Sequence, residues 1–408
     1  MYRIRYKVQQ YICCTESSIF MRIRTGVGYS TQTENAKAAG IEAATRAVEP
    51  LGGEAPALVI VFTTPRYDLE SLISGIRSVT GDARLIGATG SGEILQGRYL
   101  GFGGGVGVLA LTKGPYRFGV ASASHVKGKL DQVGREIARL SKAEAGPSPN
   151  AALILLSDCL VGDLQELFMG AYRVTGPKVS ITGGAAGDEL KFERTFVFHD
   201  GQVVAEGVVG LWIASDHPLP VVTRHGWEPL GIPLLVTHAA GTEIIELGGR
   251  PAADAYEEQL GIAKGELSPK DFWNTSILHP FGLLQSDGTT VIRVARSKSA
   301  DGTLRIQGCV PPTGSAVQVM SSSTEALLGI SETVVNHVTS EHPNAGVILV
   351  FSCAARAVIF GPKTKEEADR LQTAAGPIPT FGFYCCGEFA RTAGVLGTHN
   401  ATLTALAL

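Results

Sequence analysis

The chemistry-bearing residues of this chain stand at the ends of apolar runs. Cys159 closes LILLSDC (153–159), Cys353 closes VILVFSC (347–353), and Cys385 and Cys386 sit near the end of IPTFGFYCCGE (378–388). Thiols gathered in space would give a redox pair or a thiolate metal site. Adjacent cysteines, however, form only a strained disulfide, and a zinc site wants more regular spacing. Small buried hydrophobes are the alternative reading for the same residues. A glycine followed by an acid recurs in Gly92-Glu93, Gly187-Asp188 and Gly387-Glu388. These carboxylates would line a pocket or cap a turn or helix start. Arg356 offers a planar cation for a carboxylate ligand, or a partner for an acid such as Glu388 that locks the fold. With Tyr384, Gly387 and Trp227, the residues Arg356, Cys353, Glu388, Glu93 and Asp188 form the candidate ligand-binding set.

The elements that must position these groups recur. LVIVFTT (58–64) is a β-branched run, DLESLISGIRSV (68–79) has helical periodicity, and ARLIGATGSGE (83–93) is a second apolar run ending in glycines. The same unit returns at 153–189 and at 347–388, each time a run, a helical stretch and a second run closed by glycine and acid. Thr64, Cys159 and Cys353 are counterparts at the ends of the first runs. Each copy leads into alternating apolar residues that read as hairpin strands, with His199-Asp200-Gly201-Gln202 as a turn signal. The expectation is an α/β (mixed α+β) chain of repeated strand-helix-strand units with added hairpins and mixed sheets. A helix long enough for a crossover makes each strand pair parallel. Residues 34–48 add an amphipathic helix in front. DHPLP (216–220) marks a boundary between two halves, and AEAGPSPN (143–150) a loop within the first. Strand ends converging on one edge would form a ligand site there.

Composition excludes several classes. With 35 basic and 38 acidic residues the net charge is −3, so no positive field steers nucleic acid. No apolar stretch approaches the ~18 residues of a membrane span, so no membrane insertion is expected. Seven cysteines without a CxxC pair or dense framework favour a reducing, cytoplasmic compartment. Residues 1–20 read as an upstream extension before Met21, lacking the core and cleavage site of a secretory signal. No GxSxG, HExxH or GxxxxGK[ST] motif supports hydrolytic or phosphate-loop chemistry, and GFGGGVG (101–107) reads as a hairpin entry.

LIGATGSGEI, TGGAAGDELKF, HGWEPLG, VTHAAGTEIIELGGRPAADAY, VFSCAAR and GFYCCGEF…THNATLTAL, in this order, resemble the FIST proteins over residues 21–408. The resemblance implies a FIST N-terminal domain at 21–220, a FIST_C domain at 221–408, and a role as a sensory input module binding small ligands such as amino acids. One bacterial branch of that family binds haem, senses nitric oxide and acts on histidine kinases and cyclic-di-GMP enzymes. Haem, a small-molecule ligand and such a partner are therefore expectations, with oligomerisation open. For haem, a neutral imidazole must reach iron from an apolar pocket. His225, beside Trp227 and a glycine, is the first axial candidate, followed by His238 and His399. An enzyme using the cysteine and acid cluster on a small substrate is the competing reading. The pair Cys385-Cys386 stands where the family commonly has small residues.

Overall fold

The computed structural model describes residues 23–285, 288–392 and 395–408. Cys13, Cys14 and the extension expected at 1–20 lie outside these. The first repeat runs β1 (Thr25–Ser30), α1 (Ala36–Val48), β2 (Leu58–Thr63), α2 (Leu69–Thr80), β3 (Arg84–Thr89), the hairpin β4 (Glu93–Leu95) and β5 (Arg98–Tyr99), then β6 (Val106–Leu111). The second runs β7 (Tyr116–Ala123), α3 (Leu130–Ala145), β8 (Asn150–Asp158), α4 (Leu164–Thr175), β9 (Ser180–Ala186), the hairpin β10 (Phe196–His199) and β11 (Gln202–Ala205), then β12 (Val208–Ser215). The third opens with β13 (Val221–Arg224), just after the DHPLP segment at 216–220.

An insertion then interrupts the third repeat. It comprises β14 (Glu228–Ala240), β15 (Glu243–Leu247), β16 (Arg250–Pro251), α5 (Ala252–Gln259) and α6 (Pro269–Ser276). It continues through β17 (Phe281–Leu284), β18 (Thr290–Arg293), β19 (Ala295–Lys298), β20 (Leu304–Ile306) and β21 (Ala316–Ser321), an antiparallel sheet of its own. The repeat resumes with α7 (Thr324–Glu341), β22 (Ile348–Cys353), α8 (Ala354–Phe360), α9 (Thr364–Ala375) and β23 (Thr380–Cys385). It closes with the hairpin β24 (Glu388–Thr392) and β25 (Val395–His399), then β26 (Leu403–Ala407). Mixed α/β architecture with parallel pairs β2–β3, β8–β9 and β22–β23 is thus present as the repeat predicts.

Sequence alternation sets the layers. In β2, Leu58, Ile60 and Phe62 enter a central core, while Val59 and Val61 face the helices α1 and α2. β8 divides its residues in the same way, with Ile154 inward and Leu153 and Leu155 toward α3 and α4. β22 sends Leu349 and Phe351 inward, and Ile348 and Val350 to α7 and α9. Strands buried on both faces read as unbroken apolar runs, which is why the sequence shows them so plainly. At the centre Phe62 stacks on Phe383 with ring centroids 4.1 Å apart, joining the first and third sheets. Helix starts are fixed by side-chain caps: Asn35 accepts from the Ala38 amide, Asp68 from Ser71, Asp163 from Gln165 and Ser323 from Ala326.

The three hairpins do not stay with their own repeats. β4 pairs with β23, β10 with β3, and β24 with β9, so each repeat lends its hairpin to a neighbour's sheet in a closed cycle. Three interlocked six-stranded sheets result. No helix of the described residues is long and apolar enough to cross a membrane.

The helix pairs of the first two repeats meet through glycine. A Cβ on Gly134 would lie 2.1 Å from the Leu167 carbonyl oxygen, and one on Gly170 2.1 Å from that of Asp131, so α3 and α4 approach with no side chain between them. Gly134→Val is therefore expected to cost at least about 1–3 kcal/mol of stability. Gly329→Ala, in open space on α7, is expected to stabilise by roughly 0.4–1 kcal/mol. Denaturant unfolding of both variants checks the pair; equal effects would refute the close-approach argument.

Candidate functional site

The loops that follow β3, β9 and β23 meet, and backbone hydrogen bonds join them in a ring. The Ser91 amide donates to the Tyr384 carbonyl at 2.8 Å, the Gly187 amide to Thr89 at 2.8 Å, and the Cys386 amide to Ala185 at 2.9 Å. Gly92 and Gly387, before the acids Glu93 and Glu388, have φ of +118° and +141°. Few L side chains tolerate such angles, which explains the glycine that precedes each of these acids.

Beside this ring lies a cavity of about 240 Å³, bounded by the second repeat, the third repeat and the insertion. Its walls carry Cys159 and Asp163 from the second repeat, Cys386, Glu388, His399 and Asn400 from the third, and Arg296, Arg305 and Gln307 from the insertion. Cys353 and Cys385 line a smaller space that shares Cys386, Gln307 and Asn400 with the cavity wall. Glu388 is the first residue of β24 and is fully buried. Its carboxyl accepts the Thr402 hydroxyl at 2.6 Å, the Thr402 amide at 3.3 Å and the Cys385 thiol at 3.2 Å. Burial pushes this carboxyl up to about 7, against the hydrogen bonds that favour its charged form. Burial, reinforced by the nearby Glu388 carboxylate, pushes the Cys353 and Cys385 thiols well up, so both are protonated at neutral pH. His399 is buried and held down to about 3 by burial and by the Arg293 charge. Its Nε2 has no hydrogen-bond partner among the described residues. A histidine held neutral, a glutamate that titrates near neutrality and two arginines therefore belong to the wall of one small volume.

The candidate residues divide accordingly. Cys353, Gly387, Glu388 and His399 come together around this space. Arg356 does not face it. Its Nε donates to Glu367 at 2.9 Å and its Nη2 to the Leu327 carbonyl at 2.9 Å, so the fold-locking acid is Glu367 on α9, not Glu388. Tyr384 donates to the same Glu367 at 2.6 Å and Ser352 at 3.0 Å, closing a buried network. Trp227 is buried and gives its indole N–H to the Ala401 carbonyl at 3.0 Å. Asp188 organises its own loop, accepting from the amides of Phe192, Glu193 and Arg194. Glu93 is buried away from the cavity, and neither carboxyl oxygen has a hydrogen-bond partner among the described residues. Burial raises it well above the usual carboxylate range. His238 is exposed on β14.

Sequence reasoning missed Arg296, Arg305, Gln307 and Asn400, which the insertion and the turn before β26 bring to the cavity. No local pattern marks them. Only the adjacency of Asn400 to His399 was a usable signal.

A profile of the FIST N domain matches residues 57–250 and one of the FIST C domain matches residues 252–391. The chain belongs to the FIST family. FIST domains are sensory domains of signal transduction that bind small ligands. An uncharacterised protein of Mycobacterium tuberculosis is 27% identical over 387 residues, covering 93% of this chain and 98% of its own length. One of Mycobacterium bovis is 26% identical over 405 residues, covering 93% and 97%. A cyanuric acid hydrolase from A. caulinodans aligns over 94% of this chain and 99% of its own at a TM-score of 0.36 and 10% identity, too distant to bear on chemistry.

Haem, implied by one branch of the FIST family, does not fit the residues present. His225 uses both ring nitrogens, accepting the Trp227 amide at Nδ1 (2.9 Å) and meeting the Thr290 hydroxyl at Nε2 (3.0 Å). His399 Nε2 has no hydrogen-bond partner among the described residues, but the cavity beside it is only about 240 Å³, below the ~300–1,000 Å³ of pockets for drug-sized ligands. Among the described residues no group of three or more His, Cys, Asp or Glu is placed to hold a metal ion. Haemin titration is accordingly expected to give only weak, unsaturable absorption. A sharp Soret band saturating at one equivalent would overturn the steric argument.

The two buried titrating groups act on stability in opposite directions. Glu388 rises from 4.5 to about 7 on folding, so its contribution is full below pH 4.5 and is lost as pH rises through 7. His399 falls from 6.5 to about 3, so its contribution is present above pH 6.5 and lost as pH falls toward 3. Glu388→Gln is expected to flatten the fall of unfolding free energy between pH 4.5 and 7, a change of up to about 3 kcal/mol. Denaturant titrations at several pH values read this slope; an unchanged slope in the variant would refute the assignment.

Proposed function

We propose that this chain is a sensory protein whose ligand, an amino-acid-like small molecule, binds in the cavity between the second repeat, the third repeat and the insertion. The observation that carries this reading is His399: a buried imidazole in the cavity wall whose Nε2 has no hydrogen-bond partner among the described residues. A buried polar atom without a partner costs about 1–3 kcal/mol, which a ligand hydrogen bond would recover. The cavity, of about 240 Å³, is on the scale of a small metabolite. Arg296 and Arg305 suit a ligand carboxylate, while Asp163 and Glu388 suit an amine. Walls drawn from two repeats and an insertion let occupancy alter their relative position, and that movement is the signal passed on. A histidine kinase or a cyclic-di-GMP enzyme is the proposed receiver, and a cytoplasmic location fits the five free thiols among the described residues.

An enzyme acting through the Cys385–Glu388 pair is the second reading, favoured by the 3.2 Å hydrogen bond and the near-neutral carboxyl. Thiols held protonated by burial make poor nucleophiles, which favours binding over turnover.

Thermal-shift screening of free amino acids and small carboxylates tests the binding reading. A ligand at 100 times its Kd is expected to add about 2.7 kcal/mol of stability. His399→Ala and Arg305→Ala are each expected to weaken that ligand about tenfold or more. Failure of every compound to shift the wild type, or equal binding by the variants, would defeat it. Turnover that persists in Cys353→Ala but is lost in Glu388→Gln would support the enzyme instead.

A further inference from the structure

The cavity has an annex. A space of about 20 Å³ shares Cys386, Gln307 and Asn400 with the cavity wall, and beyond that rim it is lined by Leu190, Phe192, Trp273, Val294 and Ala355. A water-sized group needs about 10–15 Å³ of such space, so the annex takes about one group the size of water or methyl. The lining decides between them. A buried water wants about two to four polar partners, whereas past the rim the side chains around the annex are hydrocarbon, aromatic or thiol. The Cys385 thiol already has Ser352 and Glu388 as partners, and a protonated thiol packs as a small hydrophobe. A methyl group suits this space better than water does.

One wall of the annex is a strained loop held in place on several sides. Glu189, Leu190 and Phe192 have φ of +62°, +64° and +57° although none is glycine. Left-handed residues of this kind persist where their surroundings over-determine them. Here Asp188 accepts from the amides of Phe192, Glu193 and Arg194. Glu189 accepts from the Thr64 hydroxyl at 2.7 Å and from Arg66 Nε at 2.8 Å. The Arg296 guanidinium lies 3.9 Å from the centroid of the Phe192 ring. The loop thereby presents Leu190 and Phe192 as a fixed surface. Arg296 also belongs to the wall of the larger cavity, and a guanidinium stacked by its face keeps its N–H edge for a carboxylate. The charged head and the side chain of one ligand would thus meet adjoining surfaces.

Resting on the ligand reading above, we propose that this annex is the subsite for the ligand's side chain and that it selects an amino acid whose side chain is a single methyl group. The carboxylate and amine stay in the larger cavity with Arg296, Arg305, Asp163 and Glu388, and the methyl group crosses the rim of Cys386, Gln307 and Asn400. Glycine leaves the annex unfilled and forgoes that burial, a difference that apolar pockets convert into about tenfold or more in affinity. A branched side chain exceeds the annex. It must either displace Leu190 and Phe192 from a loop that resists displacement or remain among the charged groups, and forcing extra carbon into a packed site is unfavourable. Leu190 and Ala355 are on this account the residues that set ligand size.

The test is calorimetric titration of the full-length protein with glycine and with each enantiomer of alanine and valine. One enantiomer of alanine is expected to bind about tenfold more tightly than glycine and than either valine. Ala355→Val, which fills the annex, is expected to bring alanine down to the affinity of glycine while leaving glycine unchanged. Leu190→Ala, which widens it, is expected to raise valine to the affinity of alanine, and circular dichroism verifies that both variants are folded. Equal binding of glycine and alanine by the wild type, or a ratio that neither variant moves, would overturn the subsite and leave the ligand reading standing. Absence of binding by all five compounds would remove that reading and the subsite with it.

Discussion

The rest of the molecule depends on the ring of amide-to-carbonyl bonds that joins the three strand-end loops. Each bond is neutral and worth only about 0.5–1.5 kcal/mol net, yet a buried amide left unmade costs more than a made one gains. The ring is therefore a constraint of all or nothing. Ser91, Gly187 and Cys386 each donate to a different repeat, so no loop settles until its neighbours have settled. The exchanged hairpins impose the same condition on the sheets, because β4, β10 and β24 complete edges that belong to other repeats. Such pairings are far apart in sequence, and the chain must close long loops before they reward it.

A shared template then yields unequal junctions. Thr64 and Arg66 fill the junction of the first and second repeats by binding Glu189. Between the second and third, the corresponding space is bordered by two thiols and overhung by the insertion, which contributes Arg296, Arg305 and Gln307. The cavity is thus a product of broken symmetry. Glu93 and Glu388 make the same point: both are buried acids after a glycine, but only Glu388 has Thr402 and Cys385 as partners and a cavity in front of it.

Much of this was legible in the sequence because the central strands are buried on both faces. Runs such as LVIVFT and ILVFSC admit no polar residue until the strand ends, so the repeats and the position of Thr64, Cys159 and Cys353 stood out. The glycines before Glu93 and Glu388 were equally visible, since the backbone angles at Gly92 and Gly387 require them. Hairpin exchange was not visible. A hairpin of Glu93–Tyr99 carries the same alternation whether it pairs with its own sheet or another's. Nor did Arg356 betray its partner, because Glu367 reaches it from a helix 11 residues on in sequence. Side-chain identity told which chemistry was available; only the tertiary arrangement told which of it was already spent.

The charges around the cavity explain why Glu388 sits where a small change matters. Arg293 is buried just behind the wall, donating to the carbonyls of Ile292 and Thr398, with no ion pair among the described residues. The burial of His399 itself, and then the Arg293 charge, keep that imidazole neutral. With Glu388 protonated, the cavity is overlooked by Arg296 and by Arg305, the latter paired with Glu243 at 3.2 Å. Once Glu388 ionises, at about pH 7, a negative charge enters the same small, weakly screened volume, and a cationic group gains a partner there. A molecule that brings a carboxylate to the arginines and an amine to Glu388 satisfies both states and stabilises the ionised one. Binding such a ligand would therefore release a proton near neutrality, and the cavity's preference for a zwitterion over a simple anion would grow as pH rises.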